Sequence, residues 1–154
     1  KTIPGLRQAQ KYAVRIGGGQ NQRMALWHGI LIKENHIAAA GGIPQALAAA
    51  FALNSGVDIQ IEVENIAELQ EALSAGAKSI LIDNFSLEQM REAVAIAAGH
   101  AKETGREVLL EASGGLTLER AKAVAESGVH YISVGGLTHS SPILDIGLDF
   151  QTIA

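Results

Sequence analysis

The stretch at residues 65–83, NIAELQEALSAGAKSILID, decides the fold. Its first part predicts a helix, because Asn65 and Glu68 form a capping pair and apolar residues follow at helical spacing. Gly76 ends that helix, and residues 79–83 form a short apolar run typical of a buried strand. The stretch therefore predicts one helix followed by one buried strand.

The same pattern recurs on both sides of this stretch. Strands are predicted at 26–33, 59–64, 79–83, 108–111 and 131–135, and helices at 4–15, 43–53, 65–75, 86–104 and 117–127. Apolar strands that alternate with helices indicate a parallel sheet covered by helices. The tail at 144–150 also reads like a strand, one that belongs to a sheet completed by residues absent from this sequence. We predict one α/β domain over 1–154.

Composition excludes several classes of function. The 154 residues are 47% hydrophobic and carry a net charge of −4, which favours a globular core and disfavours binding to nucleic acid or an anionic membrane. There is no cysteine, so disulfides and thiolate chemistry are excluded. No apolar run approaches the roughly 18 residues of a membrane span. These features predict a soluble, cytoplasmic protein.

Charged residues stand at the ends of the predicted strands. The five ends carry Lys33, Glu62, Asp83, Glu111 and Gly135. The carboxyl ends of parallel strands form the rim where α/β enzymes bind their ligands. A solvated loop charge explains any one of these residues, but four in register favour an active site.

Glycines follow the last two predicted strands. Ser113, Gly114 and Gly115 follow one strand, and Gly135 and Gly136 end the other. Glycine lets backbone N–H groups approach a phosphate closely, whereas either pair alone is explained by a tight turn. The two pairs together predict a phosphate site.

Ionic residues near the same rim indicate a metal and an anionic substrate. Glu62 and Asp83 suit Mg²⁺, which takes one or two carboxylates beside substrate phosphates and water. Lys1, Arg23 and Lys33 suit a polyanion, although a surface salt bridge is the alternative for each. Pattern alone therefore predicts a βα-barrel enzyme that acts on a phosphorylated, anionic substrate with a divalent metal.

Seven short motifs carry a more specific resemblance. They are KTIPGLR at 1–7, GGGQNQR at 17–23, LIKENHI at 31–37, IEVEN at 61–65, DNF at 83–85, EASGG at 111–115 and SVGGLTHS at 133–140. In this order they resemble the barrel domain of the quinolinate phosphoribosyltransferases. The resemblance implies a truncated, six-stranded (β/α) barrel whose first strand, like the family's N-terminal sandwich domain, is missing from this fragment.

The resemblance also implies an activity. The family transfers phosphoribose from 5-phosphoribosyl 1-diphosphate to quinolinate with Mg²⁺, and releases pyrophosphate and CO₂ to give nicotinate mononucleotide for NAD synthesis. It forms homodimers or higher homo-oligomers in which the partner's N-terminal domain completes the site. The fragment alone is therefore expected to be inactive.

Roles carry over to matching positions. The resemblance implies that Lys1, Lys33, Glu62 and Asp83 are catalytic, with Glu62 and Asp83 holding the metal, directly or through water. The implied substrate-binding residues are those four together with Gln22, Arg23, Ser113, Gly114, Gly115, Gly135, Gly136, Leu137 and His139. Gln22 stands where the family usually has His.

Three alternatives remain open. One is the molybdenum-transport-associated homologue of the same fold, which tends to lack the Lys found here as Lys33. Another is nicotinate phosphoribosyltransferase, whose monocarboxylate substrate needs fewer cations. The last is a non-catalytic module that binds phosphate or forms an oligomer interface.

Overall fold

The computed structural model describes residues 1–151. Its strands are β1 (Ile30–Ile32), β2 (Ile59–Val63), β3 (Ser79–Asp83), β4 (Leu109–Ser113) and β5 (Tyr131–Ile132). Its helices are α1 (Arg7–Ile16), α2 (Glu34–Ala40), α3 (Ile43–Ala52), α4 (Ile66–Ser74), α5 (Leu87–Thr104), α6 (Leu118–Ala125) and α7 (Gly136–His139). Within residues 1–151, no helix combines the length and apolarity that a membrane span requires.

Local signals set the ends of the central helices as the sequence predicts. The Asn65 side chain accepts a hydrogen bond from the Glu68 backbone N–H at the start of α4. Ser86 and Gln89 cap each other reciprocally at the start of α5. Such caps satisfy N–H groups that have no partner inside the helix, and each contributes about 1 kcal/mol.

The sheet is parallel, and its strands follow one another in the order β1-β2-β3-β4-β5. Because right-handed crossovers between neighbouring strands all pass over the same side, the helices cover one face of the sheet. That face is fully buried at Ile61, Ile80, Ile82, Leu110 and Ala112. Each buried Ile or Leu there stabilises the fold by about 1.5–3 kcal/mol.

The opposite face is polar. Register places Glu62 and Glu111 on either side of Leu81, and Asp83 opposite Ser113. Since side chains alternate along a strand, Gln60 shares this face with Glu62. We call it the polar face. In the described residues β1 and β5 are the edge strands of the sheet. The structure therefore confirms a parallel α/β sheet, and closure of that sheet into a barrel stays a prediction.

Four sequence expectations need correction. The predicted strand at 26–33 begins instead with a 3₁₀ turn at Leu26–His28. The Met24 backbone N–H, just before this turn, donates to the His28 ring. Only Ile30–Ile32 pairs with a neighbouring strand. The strand at 131–135 is shortened, because α7 begins at Gly136. The helix α2 was not expected. No strand forms at 144–150 in the described residues: the apolar side chains there are more than three-quarters exposed, and an isolated strand has no stability without a partner.

Candidate active site

An ion pair joins the first two strands at their carboxyl ends. Lys33 Nζ lies 2.6 Å from Glu62 Oε2, and the Glu62 side chain is 10% exposed whereas that of Lys33 is 44% exposed. The Lys33 backbone is also held, since its N–H donates to His36 Nδ1 at 3.0 Å. Lys33 therefore has a fixed backbone and a paired ammonium group that remains accessible to a ligand.

Asp83 ends the neighbouring strand on the same face. Its Oδ2 accepts a hydrogen bond from Asn84 Nδ2 at 2.9 Å, and Ser113 lies opposite it in register. Asn84 adopts a left-handed conformation with φ of 58° and donates its backbone N–H to the Ser113 carbonyl at 3.1 Å. Asp83 and Ser113 are thus brought together, as the sequence predicts for the rim.

The turn after β4 requires glycine at position 114. Gly114 has φ of +91°, and a Cβ there would lie 2.5 Å from the Asn84 backbone nitrogen and closer still to its side-chain oxygen. The neighbouring Gly115 has φ of +55° with nothing within 4 Å of a Cβ. The close approach at Gly114 therefore fixes the turn against the end of β3.

Gly114→Ala is expected to lower the free energy of unfolding by about 3 kcal/mol, from the left-handed backbone together with the clash against Asn84. Gly115→Ala is the matched control, and it meets only the backbone cost of about 1 kcal/mol. Thermal unfolding of the two variants compares them, with a difference of roughly 4–8 °C expected for a chain of this size. Equal melting temperatures would show that the Asn84 contact is not rigid.

Helix α1 holds the loop that carries Gln22 and Arg23. Arg7 Nε donates to the Met24 carbonyl at 2.6 Å, and Arg7 Nη2 donates to the Arg23 carbonyl at 3.2 Å. Lys11 Nζ donates to the Gln22 carbonyl at 3.1 Å. Burial, with smaller contributions from Arg7 and Arg23, lowers the pKa of Lys11. Arg7 and Lys11 therefore fix the backbone of the loop that carries the two predicted substrate-binding side chains.

The two side chains of that loop point to different partners. Gln22 Nε2 donates to Gln60 Oε1 on the polar face at 3.3 Å. Arg23 Nη1 donates to the Gly29 carbonyl at 3.1 Å, just before the amino end of β1. Lys33 follows the carboxyl end of β1, so the structure shows Arg23 and Lys33 at opposite ends of that strand. The role of Arg23 stays a prediction.

The beginning and the late part of the chain meet at α7. The Lys1 carbonyl accepts a hydrogen bond from Thr138 Oγ1 at 2.5 Å. The His139 ring packs over Gly135, where a Cβ would lie 2.9 Å from Nε2. Gly136 and Leu137 lie in the same short helix. The structure therefore brings the Lys1 backbone beside the predicted phosphate segment, and the role of the Lys1 side chain stays a prediction.

The donor set fits Mg²⁺ as an ion shared with a substrate. No cluster of three His, Cys, Asp or Glu side chains suited to a metal occurs in the described part of the chain. Glu62 and Asp83 share one face on adjacent strands, and one oxygen of each is already hydrogen-bonded. Mg²⁺ characteristically takes one or two carboxylates and completes its shell with water and phosphate oxygens.

Two partly open depressions of the described surface lie away from the predicted site residues. A cavity of about 260 Å³ is lined by residues that precede β3 and β4, among them Lys78 and Arg106. A second space of about 260 Å³ lies between α4 and α5. Neither includes a predicted site residue.

Fold and site together define an α/β domain of the class that binds its ligand at the carboxyl ends of parallel strands. The family described as "Quinolinate phosphoribosyl transferase, C-terminal domain" matches residues 1–149. The chain therefore belongs to the quinolinate phosphoribosyltransferase family.

Relatives agree with this placement. The chain is 48% identical over 149 residues to the nicotinate-nucleotide pyrophosphorylase (carboxylating) of Mycobacterium leprae, covering 97% of this chain and 51% of that protein. A probable nicotinate-nucleotide pyrophosphorylase (carboxylating) of Bacillus subtilis is 47% identical, with 97% and 50% covered. The chain spans about half the length of the curated relatives it matches.

Solved structures share the fold. The nicotinate-nucleotide pyrophosphorylase of Ehrlichia chaffeensis superposes with a TM-score of 0.87 at 40% identity, covering 96% of this chain and 52% of that one. The corresponding structure from Francisella tularensis gives 0.81 at 47% identity, with 89% and 46% covered. These likenesses extend over almost the whole described sheet and its helices.

Sequence reasoning missed Gln60 and the hydrogen bonds that join it to neighbouring polar residues. Gln60, Glu111 and Ser133 form a hydrogen-bonded group with Gln22 on the polar face. Glu111 is one of the charged strand ends that the sequence singled out, and both of its oxygens accept hydrogen bonds from side chains. The one available signal was the period-two spacing of Gln60 and Glu62 in β2.

Proposed function

We propose that this chain forms the phosphoribosyl site of an enzyme that transfers phosphoribose from 5-phosphoribosyl 1-diphosphate to quinolinate. The products are nicotinate mononucleotide, pyrophosphate and CO₂, and the reaction serves NAD synthesis. The observation that carries the proposal is the Lys33–Glu62 pair beside Asp83 on one face of the sheet, in a chain of this family. The names of the relatives support the same reaction.

Charge neutralisation is the main task of the site. Breaking the bond between ribose and pyrophosphate leaves an anion on the leaving group and positive character on the sugar. Lys1 and Lys33 face the anionic groups, and the glycine segments at 113–115 and 135–137 receive phosphate on backbone N–H groups, with His139 beside them. Mg²⁺, held by Glu62 and Asp83 directly or through water, would supply further charge neutralisation.

The acceptor is held by the loop before β1. Lys33 pairs with one quinolinate carboxylate, because ammonium groups bind carboxylates through charge-assisted hydrogen bonds. Arg23 pairs with the other after its guanidinium leaves the Gly29 carbonyl at the amino end of β1. Gln22 adds an uncharged hydrogen bond. Once the pyridine nitrogen carries ribose it is positive, and it stabilises the carbanion left on the adjacent carbon when that carboxylate departs as CO₂. A proton from solvent then completes the product. Position and electrostatics suffice, so no covalent nucleophile is needed.

The complete assembly goes beyond the described residues. We propose a cytoplasmic homodimer or higher homo-oligomer, in which a strand before Lys1 completes a six-stranded barrel and the partner's N-terminal domain completes the site. The pairing of the Lys1 carbonyl with Thr138 supports this arrangement, since it brings the start of the chain to the end of the sheet. The same arrangement makes the isolated chain inactive.

The test is turnover by the protein in its full natural length. Quinolinate, 5-phosphoribosyl 1-diphosphate and Mg²⁺ are supplied, nicotinate mononucleotide is followed, and nicotinate serves as the competing acceptor. Product from quinolinate but not from nicotinate is expected. If a folded protein binds phosphoribosyl diphosphate yet gives no product from quinolinate, the acceptor is a different molecule and the proposal fails.

A further inference from the structure

A chain of side-chain hydrogen bonds crosses the polar face and ends at Gln22. Gln22 Nε2 donates to Gln60 Oε1 at 3.3 Å. Gln60 Nε2 in turn donates to Glu111 Oε2 at 2.7 Å and to Ser79 Oγ at 3.2 Å. The second oxygen of Glu111 accepts from the Ser133 hydroxyl. One loop and three strands are therefore connected through the Gln60 amide.

Glu111 sets the direction of these hydrogen bonds. A carboxylate has no proton to give and only accepts hydrogen bonds. Glu111 is 8% exposed, so side-chain donors rather than bulk water satisfy it. The Gln60 amide must therefore turn its nitrogen toward Glu111 and its oxygen toward the loop. Gln22 can meet that oxygen only with its own amide nitrogen.

Gln22 is held both at its backbone and at its side chain. The loop backbone at Gln22 is held from one side by Lys11, which donates to the Gln22 carbonyl. The Gln22 side chain is held from the other side by Gln60. Without Gln60, the amide of this exposed side chain could turn about its last bond and exchange its donor for its acceptor.

We propose that Gln60 is a positioning residue for the acceptor: it fixes the Gln22 amide in a direction imposed by Glu111. The inference rests on the proposed function, in which Gln22 contacts quinolinate. In this orientation the second N–H of Gln22 stays free to donate to an acceptor carboxylate. Gln60 itself acts through Gln22 and touches no substrate.

The experiment is a double-mutant cycle in the full-length protein, made from Gln22→Ala, Gln60→Leu and the double variant. Gln60→Leu is expected to raise KM for quinolinate about threefold to tenfold, the range for loss of one neutral hydrogen bond. KM for phosphoribosyl diphosphate is expected to stay unchanged. In the Gln22→Ala background the same substitution is expected to change KM for quinolinate less than about twofold, since the two sites are coupled.

A second readout does not depend on turnover. The side-chain amide signals of Gln22, followed by ¹⁵N NMR, are expected to shift in Gln60→Leu and in Glu111→Gln. Gln70→Leu is the matched control, because Gln70 is exposed on α4 and far from the polar face. If quinolinate is not a substrate, the proposed function fails, and the NMR readout alone decides whether Gln60 positions Gln22.

Two results would overturn the inference. One is an equal rise in KM for quinolinate in both backgrounds, or a rise in KM for both substrates, which would show that Gln60 supports the sheet generally. The other is an unchanged Gln22 amide signal in a folded Gln60→Leu variant. Folding of each variant is checked by thermal unfolding before either readout is taken.

Discussion

Lys33→Ala is expected to lower kcat/KM for the proposed quinolinate phosphoribosylation by about 10²–10³-fold, the cost of removing one preorganised charge-stabilising donor. The reason is that Lys33 is the cation fixed at the carboxyl end of β1, paired at 2.6 Å with Glu62. Steady-state kinetics on the full-length protein measures this loss. Lys122→Ala is the matched control, because Lys122 forms an exposed ion pair with Glu126 on α6 and no change in rate is expected.

Loss of structure must be separated from loss of chemistry in this variant. Lys33→Ala leaves the largely buried Glu62 carboxylate unpaired, at an expected cost of about 1 kcal/mol after allowance for the exposure of Lys33. Adding Glu62→Gln removes the unpaired negative charge. The double variant Lys33→Ala/Glu62→Gln is therefore expected to recover the wild-type melting temperature without recovering activity. Wild-type-like rates in Lys33→Ala would remove Lys33 from the site.

The sequence predicts the central part of the fold closely because local and tertiary signals agree there. Asn65 and Ser86 each cap a helix with the partner that the spacing indicates, and β3 occupies the predicted residues. The tail at 144–150 forms no strand in the described residues, since its apolar alternation is a strand signal only when a neighbouring strand supplies hydrogen bonds. The closed barrel stays a prediction, because β1 and β5 are edge strands in the described residues and no further strand joins them there.

The candidate site could likewise be predicted only in part. Lys33, Glu62 and Asp83 could be predicted because each charge stands at the end of an apolar strand and parallel strands place their ends together. The Gln60–Glu111 hydrogen bond could not, since it joins residues 51 positions apart. Gln60 looks like any polar residue on an alternating strand, and only the sheet register reveals its partner.

Asp83→Asn is expected to reduce turnover by about 10²–10³-fold, an effect comparable with the loss of a charge-stabilising group in other active sites. The substitution keeps the size of the side chain at the end of β3 and removes its charge. In the proposed site that charge holds Mg²⁺ against the pyrophosphate, and a neutral amide is a much weaker ligand for a hard cation. The concentration of Mg²⁺ needed for half-maximal rate is therefore also expected to rise.

The structure offers a control at the other end of the same sheet. Asp58 is exposed just before the amino end of β2, where its backbone carbonyl accepts a hydrogen bond from the Ile30 N–H. Asp58→Asn is therefore expected to leave both the rate and the Mg²⁺ requirement unchanged. Thermal unfolding should not separate the two variants, because Asp83 is only partly buried and its one side-chain partner is Asn84. An Asp83→Asn protein that turns over quinolinate at the wild-type rate would place the metal-binding carboxylate elsewhere. A loss of rate at unchanged Mg²⁺ requirement would assign Asp83 to the phosphoribosyl group itself.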